Sequence, residues 1–198
     1  MPYSQFTLDK VKKDFNLTTS EKPDLFADTP ELEGSDFLKE ILRYNVPLAL
    51  SSNSEKARSE MIVVPILIEV RKQLNSQFSL FSGIDFTIDI QKGLNGYCDF
   101  IISSGLEQLF VAAPVMMLVE AKNEDIKGGL GQCIAEMYAA RLFNQREKNE
   151  ISTIYGSVTT GTNWKFMKLT GNLVEIDLSE YYLANLSKIL GLLASFVG

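Results

Sequence analysis

A chain of 198 residues, 45% of them hydrophobic, buries enough apolar surface for a sizeable core, and one domain is the natural count. It contains no histidine; this excludes Ser-His-Asp and Cys-His hydrolases, histidine-dependent nucleases and nearly every catalytic zinc site, and leaves hydrolytic chemistry to carboxylates, lysine, hydroxyls or a metal held by oxygen. The net charge of −6 weighs against a simple nucleic-acid binder, which wants a basic surface, although carboxylates gathered around a metal add negative charge and a local basic face is compatible with an acidic whole.

The start of the chain, Met1-Pro2-Tyr3-Ser4-Gln5, lacks the basic start and apolar stretch of a secretory signal. Residues 1–52 read as an N-terminal helical layer on a core of residues 53–198. That layer holds a short helix over 7–15 with Thr7 as its cap, a loop through Pro23 and Pro30, and a second helix over 35–44. Residues 54–74 predict a long, largely buried helix capped by Ser54, with Glu55 in its first turn and a kink at Pro65. The period then changes. Residues 84–90 alternate strictly between apolar and polar, as a half-buried strand does, and Lys92-Gly93-Leu94-Asn95-Gly96 turns the chain into a second strand over 97–103. Residues 115–122 are apolar until their end, which suits a central strand covered on both faces.

The longest apolar run, 109–119, holds Pro114 and is too short to span a bilayer, so no membrane segment is expected. Gly128 and Gly129 are expected to break the chain before a helix over 130–146, on which Gln132 and Glu136 share a polar stripe. Further strands follow over 151–159, 164–169 and 173–176, and an amphipathic helix over 181–197 closes the chain. The order of elements describes an α/β fold, a mixed sheet between helices. Cys98 and Cys133 stand in no metal-ligand spacing and read as small core residues in a reducing, cytoplasmic setting.

Glu120-Ala121-Lys122 ends the most buried strand. Residues two apart on a strand share a face, so Glu120 and Lys122 project together while Ala121 faces away. Asp99 lies in the preceding strand between Cys98 and Phe100, an acid in an apolar sequence. Pairing of the two strands brings Asp99 to Glu120 across the ladder, and two convergent carboxylates suit Mg²⁺. The triplet alone carries no weight: with 25 acidic residues, about two acid-x-Lys triplets arise by chance, and Asp125-Ile126-Lys127 is the second, read as solvated loop charges. A strand-end ion pair without chemistry is the competing reading of Glu120 and Lys122.

In its order of elements and its pairing of Asp99 with Glu120-Ala121-Lys122, the chain resembles the PD-(D/E)XK nuclease superfamily. Further similarity lies in Ser54-Glu55-Lys56-Ala57-Arg58-Ser59-Glu60 before Pro65, in Gly93-Leu94-Asn95-Gly96-Tyr97-Cys98-Asp99-Phe100, in Gly129-Leu130-Gly131-Gln132-Cys133-Ile134-Ala135-Glu136-Met137 and in Tyr155-Gly156-Ser157-Val158-Thr159-Thr160-Gly161. The likeness covers residue 54 onward and is to an uncharacterised bacterial branch. Cys98 stands where the pattern has proline. The resemblance implies a restriction-endonuclease-like core and a metal-dependent deoxyribonuclease. Asp99, Glu120 and the main-chain carbonyl of Ala121 would hold Mg²⁺, with Mn²⁺ as an alternative. Lys122 would orient or deprotonate the attacking water, and Gln132 would bond the phosphate or Lys122. An additional acid would come from the 54–74 helix. Glu55 aligns better with the family pattern, while Glu60 sits beside the buried stretch; about 140° apart on an ideal helix, they are not expected to face the metal together.

Trp164, Tyr97 and Tyr138 are weighed as base-stacking or core aromatics, and Lys92, Lys127, Arg141 and Arg146 as phosphate contacts or solvated charges. Two other functions compete: a nuclease-fold protein that binds nucleic acid or a protein without cleaving, and an interaction protein whose C-terminal helix, through Ile189, Leu192 and Phe196, packs against a second copy as a homodimer.

Overall fold

A computed structural model describes residues 2–149 and 151–198, so Met1 of the N-terminal reading lies outside the described residues. The first helix, α1 (Leu8–Asp14), starts where Thr7 Oγ1 accepts from Lys10 N at 3.3 Å, satisfying one of the helix's free N–H groups. Then comes a strand where a loop was expected, β1 (Thr18–Lys22). Its Thr-Thr-Ser-Glu-Lys sequence has no apolar alternation because it lies at the edge of the sheet, mostly exposed. The N-terminal layer is therefore not only helical. Helix α2 (Asp36–Ser52) is capped by Ser35 and runs past Pro47 to Asn53, whose φ of 46° ends it.

The 54–74 helix is α3 (Glu55–Arg58), a π-helical segment Ser59–Val63 and α4 (Val64–Gln73), continuous and capped by Ser54. Just before Pro65 the helix widens into this π turn, in which Val64 N bonds Ser59 O, five residues back. Pro65 has no N–H for the carbonyl four residues earlier; that carbonyl, Met61 O, accepts instead from Asn45 Nδ2 of α2 at 2.9 Å. The proline's missing donor is thus supplied by a neighbouring helix.

The regular part of β2 is Ser79–Asp85, five residues earlier than the alternation suggested. Residues 86–90 continue as an irregular hairpin, with Phe86 N bonding Gly96 O and Ile88 N bonding Leu94 O. Their pattern marks Phe86, which is buried, and Ile88, which packs on the core, but Ile90 is exposed. β3 (Tyr97–Ser103) and β4 (Val115–Ala121) follow as expected. Helix α5 (Ile126–Arg146) starts earlier than expected, because Asp125 caps it by accepting from Gly128 N. Gly128 and Gly129 therefore lie inside its first turns, and Asp125 and Lys127 are helix-end residues rather than loop charges. After it come β5 (Thr153–Thr159), β6 (Asn163–Thr170), β7 (Leu173–Asp177), the two-residue β8 (Tyr181–Tyr182) and α6 (Leu186–Val197).

These strands form one mixed eight-stranded sheet in the order β1-β7-β6-β5-β4-β3-β2, with β8 beside β6. The β4–β5 and β1–β7 pairs are parallel; the others are antiparallel. One face packs α1 and α5, the other α2, the 55–73 helix and α6, giving two core clusters. Ile189, Leu192 and Phe196 of α6 are buried in the second cluster, so the apolar face expected to meet a second copy is occupied within the chain. No helix among the described residues is long and apolar enough to cross a membrane.

Three contacts fix the elements that flank the end of β4. Asn144 of α5 donates its amide to Val115 O and accepts from Val115 N, both at 2.8 Å, so α5 is pinned to the start of β4. A Cβ at Gly131 would lie 2.3 Å from the Thr7 carbonyl carbon and 2.4 Å from Phe6 O, so only glycine lets the N-terminal segment lie on α5. Across the sheet, buried Glu69 holds Ser35 through its backbone N–H and its hydroxyl, joining α4 to the start of α2.

Candidate functional site

The β3–β4 ladder runs from Ser103–Val115 to Phe100–Val119 and stops there. Continued by one pair, its register would set Asp99 opposite Glu120. Instead Asp99 Oδ2 accepts from Ala121 N at 2.8 Å, so a side-chain carboxylate takes the N–H that a ladder carbonyl would have taken. The strands part around this carboxylate. β4 stays paired with β5 on its other side, where Lys122 N reaches Thr159 O at 2.7 Å. The result is a rigid strand end with a charged notch beside it.

Glu120 is 2% exposed, and its Oε2 has no hydrogen-bond partner among the described residues. Its Oε1 accepts from Lys122 Nζ in a short contact. Lys122 Nζ also donates to Gln132 Oε1 at 3.3 Å, and Gln132 Nε2 donates to Glu136 Oε1 at 3.1 Å. Glu120 and Lys122 thus share a face as their spacing predicts, while Ala121 turns into the opposite core cluster. Gln132 bonds Lys122, one of its two expected partners.

Three carboxyls in this small space hold their protons more tightly than usual. Burial pushes Glu120 up to about 8, helped by the charge of Asp99 and opposed by Lys122. Asp99 is raised by burial despite the Ala121 N–H and the Lys122 charge. Glu136 is fully buried and raised well above the glutamate range, first by burial and then by the charge of Glu120. Burial lowers Lys122, but the charge and hydrogen bond of Glu120, with the charges of Glu55 and Asp99, hold it above the ordinary lysine value. One ammonium thus leaves an excess of acidic groups.

The two helix acids part. Glu55, Glu60, Asp99 and Ala121 line one cavity of about 280 Å³, but the surroundings of the two glutamates differ. Glu60 is exposed and pairs with Lys56 at 3.6 Å, whereas the charge of Glu55 bears on Asp99, Glu120 and Lys122.

Among the described residues, no three Asp, Glu or Cys side chains are arranged to ligate one ion. A divalent cation here would take Asp99 and Glu120 and fill its shell with main-chain oxygen and water, as Mg²⁺ commonly does. The donors are hard oxygens, one of them the unpartnered Glu120 Oε2, and the excess acidity favours a cation. The residues fit such an ion.

Sequence reasoning missed three participants. Glu136 had been placed on a polar stripe with Gln132; that stripe faces the site rather than solvent, four residues apart on one helical face. Arg58 is 9% exposed and bonds Asn123 Oδ1 through Nε and Thr160 O through Nη1. Asn123 directly follows Lys122. No local pattern distinguishes either from a surface polar residue.

The other candidates lie apart. Trp164 is buried, donating to Gly161 O and stacked near Phe166, and so is a core residue. Tyr138 stacks on Phe15 with Arg141 over its ring, and Tyr97 is exposed. Lys92 pairs with Asp89, and Arg146 bonds Ile88 O. Cys98 and Cys133 are buried free thiols, raised well above the thiol range by burial and by the nearby carboxylates. Comparison with protein-family models, with curated proteins and with solved structures finds no match to this chain.

Proposed function

We propose that the notch at the end of β4 is the catalytic centre of a metal-dependent phosphodiesterase that cleaves DNA, built on a restriction-endonuclease-like core. The observation that carries this reading is the convergence of Asp99, Glu120 and Lys122 at one strand end, with a buried carboxylate oxygen left unpartnered. Asp99 and Glu120 would hold Mg²⁺ or Mn²⁺, with the Ala121 carbonyl as a further ligand. Bound there, the ion supplies Lewis-acid polarisation of the phosphate and a lower pKa for an attacking water.

The chain's own groups supply the rest. Lys122, favoured as the ammonium, is a donor: it orients a water and offsets charge on the phosphate oxygens, and deprotonating the water is the less suitable of its two expected roles. Gln132 holds Lys122 from the side opposite Glu120. Glu55, on the cavity wall, adds negative charge to the same centre and would hold a water there. Glu136, beneath Gln132, accepts from that amide and fixes it.

A second reading is favoured by the Lys122–Glu120 contact, which occupies one ligand oxygen. It is a nuclease-fold protein that binds nucleic acid or a protein without cleaving. The two separate on incubation of wild type and Lys122→Ala with linear and circular DNA under Mg²⁺ or Mn²⁺. Catalysis requires cleavage by wild type and a loss of at least roughly 100-fold in the variant. Retention of DNA by both proteins with no cleavage supports the second reading and removes the first.

A further inference from the structure

Beside the catalytic notch, on the β5 side of β4, lies a polar cavity of about 310 Å³ lined by Arg58, Asn123, Thr160, Thr162 and Asn163, with Glu124 and Glu180 also on its wall. Arg58 is nearly buried, and both its identified partners, the Asn123 amide oxygen and the Thr160 carbonyl, are neutral. It takes part in no ion pair among the described residues. A guanidinium removed from water without a counter-charge is costly and asks for an anion. Its Nη2 has no hydrogen-bond partner among the described residues and is not sealed from solvent. Asn123 accepts from Arg58 through Oδ1, which leaves its amide N–H groups for a ligand. Neither acid pairs directly with Arg58: Glu180 is a carboxylate held by Asn163 Nδ2 at 3.0 Å and the Tyr182 hydroxyl at 2.6 Å, and Glu124 is exposed.

We infer that this cavity is a second phosphate subsite, in which Arg58 Nη2, Asn123 Nδ2 and the Thr162 hydroxyl receive the phosphate next to the scissile one on the same strand. The inference rests on the nuclease reading and deepens it. Its two main residues come from the elements that build the catalytic centre: Arg58 is three residues beyond Glu55 on the helix, and Asn123 is one beyond Lys122. A strand whose scissile phosphate lies at Asp99 and Glu120 would then set its neighbouring phosphate at this cavity. A fork of N–H donors in a fixed plane suits phosphate oxygens better than a lone ammonium would.

The test is binding of a fluorescently labelled oligonucleotide to Lys122→Ala protein in Mg²⁺, by anisotropy over a range of KCl concentrations. Adding Arg58→Gln is expected to weaken binding about 10-fold and to lower the salt slope by about 0.7–0.9, the loss of one phosphate contact. Arg58→Lys, which keeps the charge, is expected to restore most of the slope; a purely structural role for Arg58 would not move the slope with charge. Thr162→Val is expected to cost a few-fold in affinity with the slope intact, and it carries the test if Arg58→Gln fails to fold. A slope for Arg58→Gln equal to that of its parent, or binding unchanged by Thr162→Val, overturns the subsite while the nuclease reading stands. Wild type that neither binds nor cuts DNA overturns both.

Discussion

Glu120 is where strand geometry and acid chemistry meet. β4 carries it into the core at 2% exposure, Asp99 adds a like charge, and one lysine reaches only one of its oxygens. The linkage to stability follows from the sign of the shift. An unfolded chain ionises this carboxyl from its ordinary value of 4.5 upward, whereas the folded chain keeps the proton until about 8. Rising pH between these values therefore favours unfolding, by at most roughly 1.4 kcal/mol per pH unit for one proton. Asp99 and Glu136 are shifted in the same direction. In the absence of divalent cations, urea unfolding is thus expected to show stability falling from about pH 5 to pH 8, with a visibly shallower fall in Glu120→Gln. Equal slopes in the two proteins would mean that Glu120 ionises normally in the fold. The chemistry at this scale was legible in sequence for Asp99, Glu120 and Lys122, because strand alternation and an acid within an apolar run are local signals. Glu136 was not, because its place beneath Gln132 depends on which way α5 faces.

At the scale of elements, the site depends on three pieces held in register: the 55–73 helix, β4 and α5. Asn144 satisfies both backbone groups of Val115 from α5. Asn144→Ala leaves a buried N–H and C=O without partners, an expected loss of about 2–4 kcal/mol, measurable by chemical denaturation. A loss under about 0.5 kcal/mol would show that α5 is anchored by apolar packing alone. The helix at 55–73 shows where sequence reading ends. Capping by Ser54 and the burial of its centre follow from local composition, and so does some disturbance at Pro65. That the disturbance is a π turn, with Met61 O passed to Asn45, depends on a helix nearly twenty residues away. β1 was hidden for a related reason: an edge strand needs no apolar alternation when little of it is buried.

At the scale of the whole molecule, helices on both faces of a mixed sheet leave the end of β4 as the place where helix, sheet and α5 all approach, and the acidic groups gathered there add to a surplus of negative charge. A cation that binds the folded state alone should relieve that surplus. Adding Mg²⁺ at pH 8 is expected to raise the melting temperature of wild type, by about 2.7 kcal/mol in stability at a hundredfold excess over its dissociation constant, and to leave Asp99→Asn nearly unmoved. An equal response in both proteins would locate any cation elsewhere. The most direct measurement is anomalous diffraction from crystals soaked in Mn²⁺. A single peak within about 2.5 Å of carboxylate oxygens from both Asp99 and Glu120, with the Lys122 ammonium moved off Glu120, is the expected result. Crystals that show no peak there, with Lys122 still closed onto Glu120, would contradict a metal-dependent centre at the end of β4.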